Sequence, residues 1–204
     1  MKLTTMVLLA ALVVANVRGG QADKGSKRPM TVYIWGEEHV PFDIRTSGLQ
    51  VASDMFSQIG VSIKWRHSRP ANGQAQRESA VAIHIVGTTG GSSQKTLAAA
   101  RPYEGSEITV FYGAMKWASQ HPRLARVVFA HVLVHEIAHN LQQVNRHSAT
   151  GIMQERWTSA DYAAMQYEPL RFESFDVDLI LAGLAGRAER MAARASQAAP
   201  SLPQ

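Results

Sequence analysis

Residues 122–141 read PRLARVVFAHVLVHEIAHNL, and this stretch determines the fold prediction. Proline is tolerated in the first turn of a helix, so Pro122 predicts a helix start. The apolar residues that follow would lie on nearly every side of that helix, which predicts a long helix buried in the middle of the fold. Two histidines and one glutamate near its end are polar groups whose burial costs free energy unless they have partners.

These polar residues form the pattern His135-Glu136-Ile137-Ala138-His139. Residues four apart lie one turn above each other, so the two imidazoles can converge on one metal ion. Glu136 lies about 100° around the helix and can reach a water on that ion. Catalytic zinc normally takes three protein ligands and leaves one position open, so we expect a third ligand nearby.

His147 is the candidate third ligand, eight residues past His139. The apolar pattern continues through Leu141 and Val144, and Asn145 is a residue type that tolerates the left-handed turn at a helix end. The chain would then double back and return His147 to the ion. His131, one turn before His135, is instead expected to bond a neighbour in the core or to orient a ligand.

The segment His135-Glu-Ile-Ala-His139-Asn-Leu, the later His147 and the turn Gly151-Ile-Met153 resemble the metzincin clan of zinc metallopeptidases. They are most similar to small exported bacterial proteins with a His-Ser-x-x-Gly-Ile-Met segment. The resemblance implies one catalytic zinc ion held by His135, His139 and His147. It also implies that Glu136 acts as general base and that Met153 is the turn methionine.

The resemblance covers about residues 31–168 and implies an α+β metzincin-like catalytic domain. Such a domain has a twisted mixed sheet of four or five strands, a long active-site helix and a helical C-terminal part. It further implies a peptide or protein substrate, lying extended along an edge strand that we place between Leu97 and Glu104. Glu136 would take a proton from the zinc-bound water as that water attacks a peptide carbonyl, and would pass the proton to the leaving amine.

The chain departs from the clan's usual spacing after the second histidine. The clan has a glycine three residues later and a histidine six residues later, where this chain has Gln142 and Asn145. We therefore expect a helix about half a turn longer, with the ligand moved to His147. One alternative is a gluzincin-type zinc peptidase whose third ligand is Glu168 or Glu173. Another is a non-catalytic secreted protein that binds a metal or acts in adhesion.

The remaining sequence alternates between strand and helix patterns. Strands are predicted at 31–35, 61–65, 80–86 and 108–112, with a short edge strand within 97–103. Helices are predicted at 44–59, from Thr158-Ser-Ala-Asp161 to Pro169, and from about 175 to 195. We divide the chain into a signal peptide (1–22), a flexible entry (23–30), a zinc metallopeptidase domain (31–175) and an alanine-rich helix with a frayed tail (176–204).

The first 22 residues predict a secretory signal peptide. Lys2 is followed by an apolar run from Met6 to Val14, and small residues precede a cleavage site after Ala22 or after Gly19. A retained N-terminal anchor is the alternative, but the apolar run is shorter than the roughly 20 residues of a membrane span. We expect a secreted or periplasmic protein without stable membrane association after cleavage.

Composition narrows the possible chemistry and partners. The chain has no cysteine, which excludes disulfides, thiolate metal sites and a cysteine nucleophile. Removal of the signal peptide takes away Lys2 and Arg18 and lowers the formal net charge from +5 to +3. The remaining sequence has no block of lysines and arginines. We therefore expect no nucleic-acid partner, and a monomer whose stability rests on its core alone.

Overall fold

The computed structural model describes residues 27–88, 97–100 and 107–198. The predicted signal peptide lies outside these residues, as do 23–26 of the predicted flexible entry. Strand β1 (Arg28–Trp35) begins three residues before the predicted start, because Arg28 already pairs with Val61 in the neighbouring strand. Residues 28–30 therefore belong to the sheet, and the prediction of a flexible segment there is wrong.

Within the described ranges, the sheet contains β1 and four further strands: β2 (Val61–Arg66), β3 (Val81–Val86), β4 (Ala98–Ala100) and β5 (Glu107–Phe111). Their order across the sheet is β2-β1-β3-β5-β4. The first four strands of this order run parallel, and β4 pairs antiparallel with β5 at the edge. The predicted mixed sheet is confirmed, including a short edge strand within residues 97–103.

The described part of the chain contains five α-helices: α1 (Phe42–Gln58), α2 (Gln74–Arg77), α3 (Pro122–Gln142), α4 (Ser159–Met165) and α5 (Ser174–Ala198). The sequence predicted four of them, with ends that differ by a few residues. Thr158 and Asp161 form the predicted capping box of α4, although that helix ends before Pro169. Helix α2 and the 3-10 helices Glu37–His39 and Tyr112–Ala118 were not predicted from the sequence.

The core lies between the sheet and helices α1 and α3. Apolar residues of β1, β3 and β5 join those of both helices in one buried cluster. Helix α3 has 16 of its 21 residues buried, which confirms the predicted central helix. Two glycines permit close helix contacts, because a Cβ atom at Gly48 would lie 2.7 Å from a Phe129 ring carbon and one at Gly183 would lie 1.9 Å from the Leu141 carbonyl oxygen.

Helix α5 packs against α3 and contributes Ile180 and Leu184 to the same core. The two helices thus fix the chain on both sides of the segment 143–173. No helix in the described ranges has the length and apolarity that a membrane span requires.

Candidate metal centre

Helix α3 places His135, Glu136 and His139 in its last two turns. The histidines are almost enclosed, with exposed fractions of 9% and 6%, whereas the Glu136 side chain is half-buried. The i to i+4 spacing brings the His135 and His139 rings to a centroid separation of 4.6 Å. The predicted pairing of these two imidazoles on one helix face is confirmed.

The helix ends earlier than the sequence predicted. It stops at Gln142, and Gln143 takes the left-handed conformation with φ of 55°, whereas we expected that conformation at Asn145. The Gln143 N–H bonds to the His139 carbonyl oxygen. Gln142, the last residue of the helix, and Arg146 in the following loop both bond to Asp176.

The loop after α3 brings His147 to the other two histidines. The His139 Nε2 atom lies 2.9 Å from His135 Nε2 and 3.2 Å from His147 Nε2. The potential ligand atoms of all three residues lie within 4.8 Å of one another. Nitrogens bound at 2.0–2.1 Å to a tetrahedral ion lie about 3.3 Å apart, so these three imidazoles are arranged as a group that could hold a metal ion.

Two backbone segments orient this group. His135 Nδ1 lies 2.9 Å from the Ile152 carbonyl oxygen, and since a carbonyl can only accept, Nδ1 is the protonated nitrogen and Nε2 is left free for a metal. Ile152 and Met153 are fully buried, and the Met153 carbonyl oxygen accepts a hydrogen bond from the Ser148 N–H beside His147. The predicted turn therefore bonds directly to His135 and to the residue that follows His147.

Gly151 permits the tight turn. It has a φ of 76°, and a Cβ atom there would lie 2.2 Å from the Arg171 carbonyl oxygen. The same carbonyl accepts a hydrogen bond from the Ile152 N–H, which fixes the turn against the segment that leads into α5.

Burial sets the protonation of His135 and His139. It lowers the pKa of His135 from 6.5 to about 4 and also lowers the pKa of His139, so both imidazoles are neutral at pH 7. Neutral imidazole is the form that binds metals. Burial acts in the other direction on Glu136 and raises the pKa of its carboxyl group to about 7. A carboxyl group with that pKa can both accept and donate a proton near neutral pH.

Glu168 and Glu173, the alternative third ligands, each bond to a residue outside the histidine group. Glu168 forms an exposed ion pair with Arg171. Glu173 accepts hydrogen bonds from the N–H and hydroxyl of Thr150. Within the described residues, the histidine group is also the one cluster of three or more potential ligands.

His131 has the structural role expected of it. Its Nδ1 donates to the Val127 carbonyl oxygen at 2.6 Å, and its Nε2 accepts from the Leu170 N–H at 3.0 Å. Both ring nitrogens are thus occupied and the residue is fully buried. Trp157 packs edge-on against both His131 and His135, with centroid separations of 6.0 and 5.7 Å, and forms one wall of the site.

The residues that hold the His147 loop could not be recognised in the sequence. Asp176, in the first turn of α5, is fully buried and bonds to side chains on both sides of His147. No motif marks this aspartate in the sequence, because its partners lie about 30 residues earlier in the chain.

Comparisons with known proteins leave the family unassigned. No protein-family model matches this chain, and no curated protein matches it significantly. The histidine group and its surroundings are therefore the basis for any functional proposal.

Proposed function

We propose that the protein is an exported zinc-dependent endopeptidase of the metzincin type, with His135, His139 and His147 as zinc ligands. The observation that carries the proposal is the convergence of three imidazole Nε2 atoms on one face of a buried helix end. Buried polar groups normally have partners, and three imidazoles whose nitrogens face one another gain most from a shared cation.

The donor set suits zinc. Imidazole nitrogens are common zinc ligands, and three of them leave a fourth position open, as in catalytic zinc sites. The hydrogen bond from His135 Nδ1 to a backbone carbonyl is the outer contact that metal-bound histidines usually make. Bound there, zinc would supply Lewis acidity, which activates water and polarises a carbonyl group.

Glu136 is the residue that would move protons. It makes no hydrogen bond or ion pair with any described residue, so its carboxylate is available to a substrate or to water. Because its pKa is raised to about 7, it can take a proton from an attacking water and give it to the leaving amine at neutral pH. Its place on α3 between the two histidines keeps that proton transfer next to the metal ligands.

The sheet edge offers a place for an extended substrate. Among the described residues, strand β4 is the last strand of the sheet and pairs with β5 alone. A peptide could add to such an edge as a further strand through main-chain hydrogen bonds. Residues 101–104, which also belong to the predicted substrate strand, lie outside the described residues.

The test is digestion of a broad peptide library by the parent protein, with and without a chelator, and by Glu136→Gln. We expect cleavage that the chelator abolishes, and a loss of about 10²–10⁴-fold in rate for Glu136→Gln at unchanged zinc content. Glu155→Gln is the matched control, because Glu155 is an exposed glutamate close to the methionine turn, and it should cleave like the parent. If Glu136→Gln binds zinc and cleaves as fast as the parent, the assignment of the base is wrong. If the zinc-loaded parent cleaves nothing in the library, the protein only binds the metal.

A further inference from the structure

We infer that Asp176 is a positioning residue that holds His147 in place to bind the metal. The inference rests on the proposed zinc site and extends it to the C-terminal helix. It assigns a ligand-positioning role to a carboxylate that does not itself belong to the histidine group.

His147 cannot fix its own position. His135 is oriented through its Nδ1 bond to the Ile152 carbonyl oxygen, and both His135 and His139 project from a helix. His147 lies on a loop without regular secondary structure and is only half-buried. Among the described residues, its ring has no hydrogen-bond partner outside the histidine group. Its position must therefore be set by the residues on either side of it.

Both of these neighbours are bonded to Asp176. The Arg146 guanidinium donates to Asp176 Oδ1 at 2.7 Å, and the Ser148 hydroxyl donates to Oδ2 at 2.6 Å. Arg146 also lies over the Phe175 ring, with its guanidinium carbon 4.7 Å from the ring centroid. The two carboxylate oxygens thus hold the chain immediately before and immediately after His147.

A carboxylate fits this task better than a neutral group. Its two oxygens accept from both flanking residues at once, and Gln142 at the end of α3 adds a third, longer contact to Oδ1 at 3.4 Å. Asp176 is fully buried, so its charge depends on Arg146 as a partner. An asparagine replaces one of the two oxygens by an NH₂ group, which cannot accept, so one of the two flanking side chains would lose its acceptor in this arrangement.

The test is a titration of the metal-free protein with Co²⁺. Binding is measured from the visible absorption bands, which also report whether the coordination is tetrahedral. We expect Asp176→Asn to bind Co²⁺ about tenfold or more weakly than the parent, the loss typical of a changed outer contact, and to show altered bands. Asp178→Asn is the matched control, because Asp178 is an exposed aspartate on the same helix, and it should bind like the parent. Ser148→Ala, which removes one of the two contacts without changing a charge, should fall between the parent and Asp176→Asn.

A double-mutant cycle separates positioning from general destabilisation. If Asp176 acts through His147, Asp176→Asn should cost no further affinity in a His147→Ala background. An equal loss in both backgrounds overturns the inference, as does parent-like binding by both Asp176→Asn and Ser148→Ala. Those outcomes leave the proposed peptidase function intact, because no cleavage is measured. A parent protein that binds no Co²⁺ overturns both the inference and the zinc site.

Discussion

His131 leads to a prediction about how the free energy of unfolding changes with pH, and the structure determines the magnitude of that change. The side chain is fully buried, donates from Nδ1 to Val127 and accepts at Nε2 from Leu170. Protonation of Nε2 would replace an acceptor by a donor facing an N–H group, and burial lowers the pKa of His131 from 6.5 to about 4. The folded protein therefore requires neutral His131.

The direction of the pH effect follows from proton linkage. Between about pH 6.5 and pH 4, the histidine of the unfolded chain binds a proton and that of the folded chain does not. The free energy of unfolding therefore falls as the pH is lowered through this window. The gap between 6.5 and about 4 corresponds to a loss of about 3 kcal/mol, at about 1.4 kcal/mol per pKa unit.

Urea unfolding of the parent and of His131→Gln, with chelator present, measures this effect. The loss of stability between pH 7 and pH 4.5 should be smaller in His131→Gln by about 2–3 kcal/mol, since glutamine does not titrate. Other groups, including His135 and Glu136, titrate in both proteins and cancel in the difference. An identical pH dependence in the two proteins would refute the assignment of His131 as a neutral, doubly bonded core residue.

Two further substitutions test the packing and the ligand set. Gly183→Ala should lower the free energy of unfolding by about 1–3 kcal/mol, because its Cβ would lie 1.9 Å from the Leu141 carbonyl oxygen. Thermal unfolding measures this, and Gly186→Ala on the same helix, whose Cβ would meet only the end of the Arg190 side chain, should unfold near the parent temperature. His147→Ala should lose bound zinc in elemental analysis after dialysis, whereas Glu168→Ala and Glu173→Ala should retain one zinc per chain. Retention by His147→Ala with loss by either glutamate variant would favour the gluzincin-type ligand set.

The regular elements could be predicted because they depend on local patterns. The alternation in 61–65 and 80–86, the three- and four-residue spacing in 44–59 and the continuous apolar stretch after Pro122 each indicate one type of element. The short helix Gln74–Arg77 and the 3-10 helices contain too few residues to show a period. The strand order could not be predicted, since it depends on pairings between distant segments.

The histidine pair of the site could be predicted from its spacing on one helix, and His147 from the expectation of a third ligand. The end of α3 could not, because the left-handed turn falls at Gln143, a residue type without the preference of asparagine for that conformation. Residue preference favoured Asn145, and tertiary contacts overruled that preference. Asp176 itself has no signal in the sequence, because its role depends on chain segments that come together only in the folded protein.

A crystal structure of the zinc-loaded protein, with anomalous data at the zinc edge, tests the central claim most directly. We predict one anomalous peak at about 2.0–2.1 Å from the Nε2 atoms of His135, His139 and His147, with a fourth position open to solvent. A peak that lacks His147 as a ligand, or the absence of a peak between these three imidazoles, would contradict the claim.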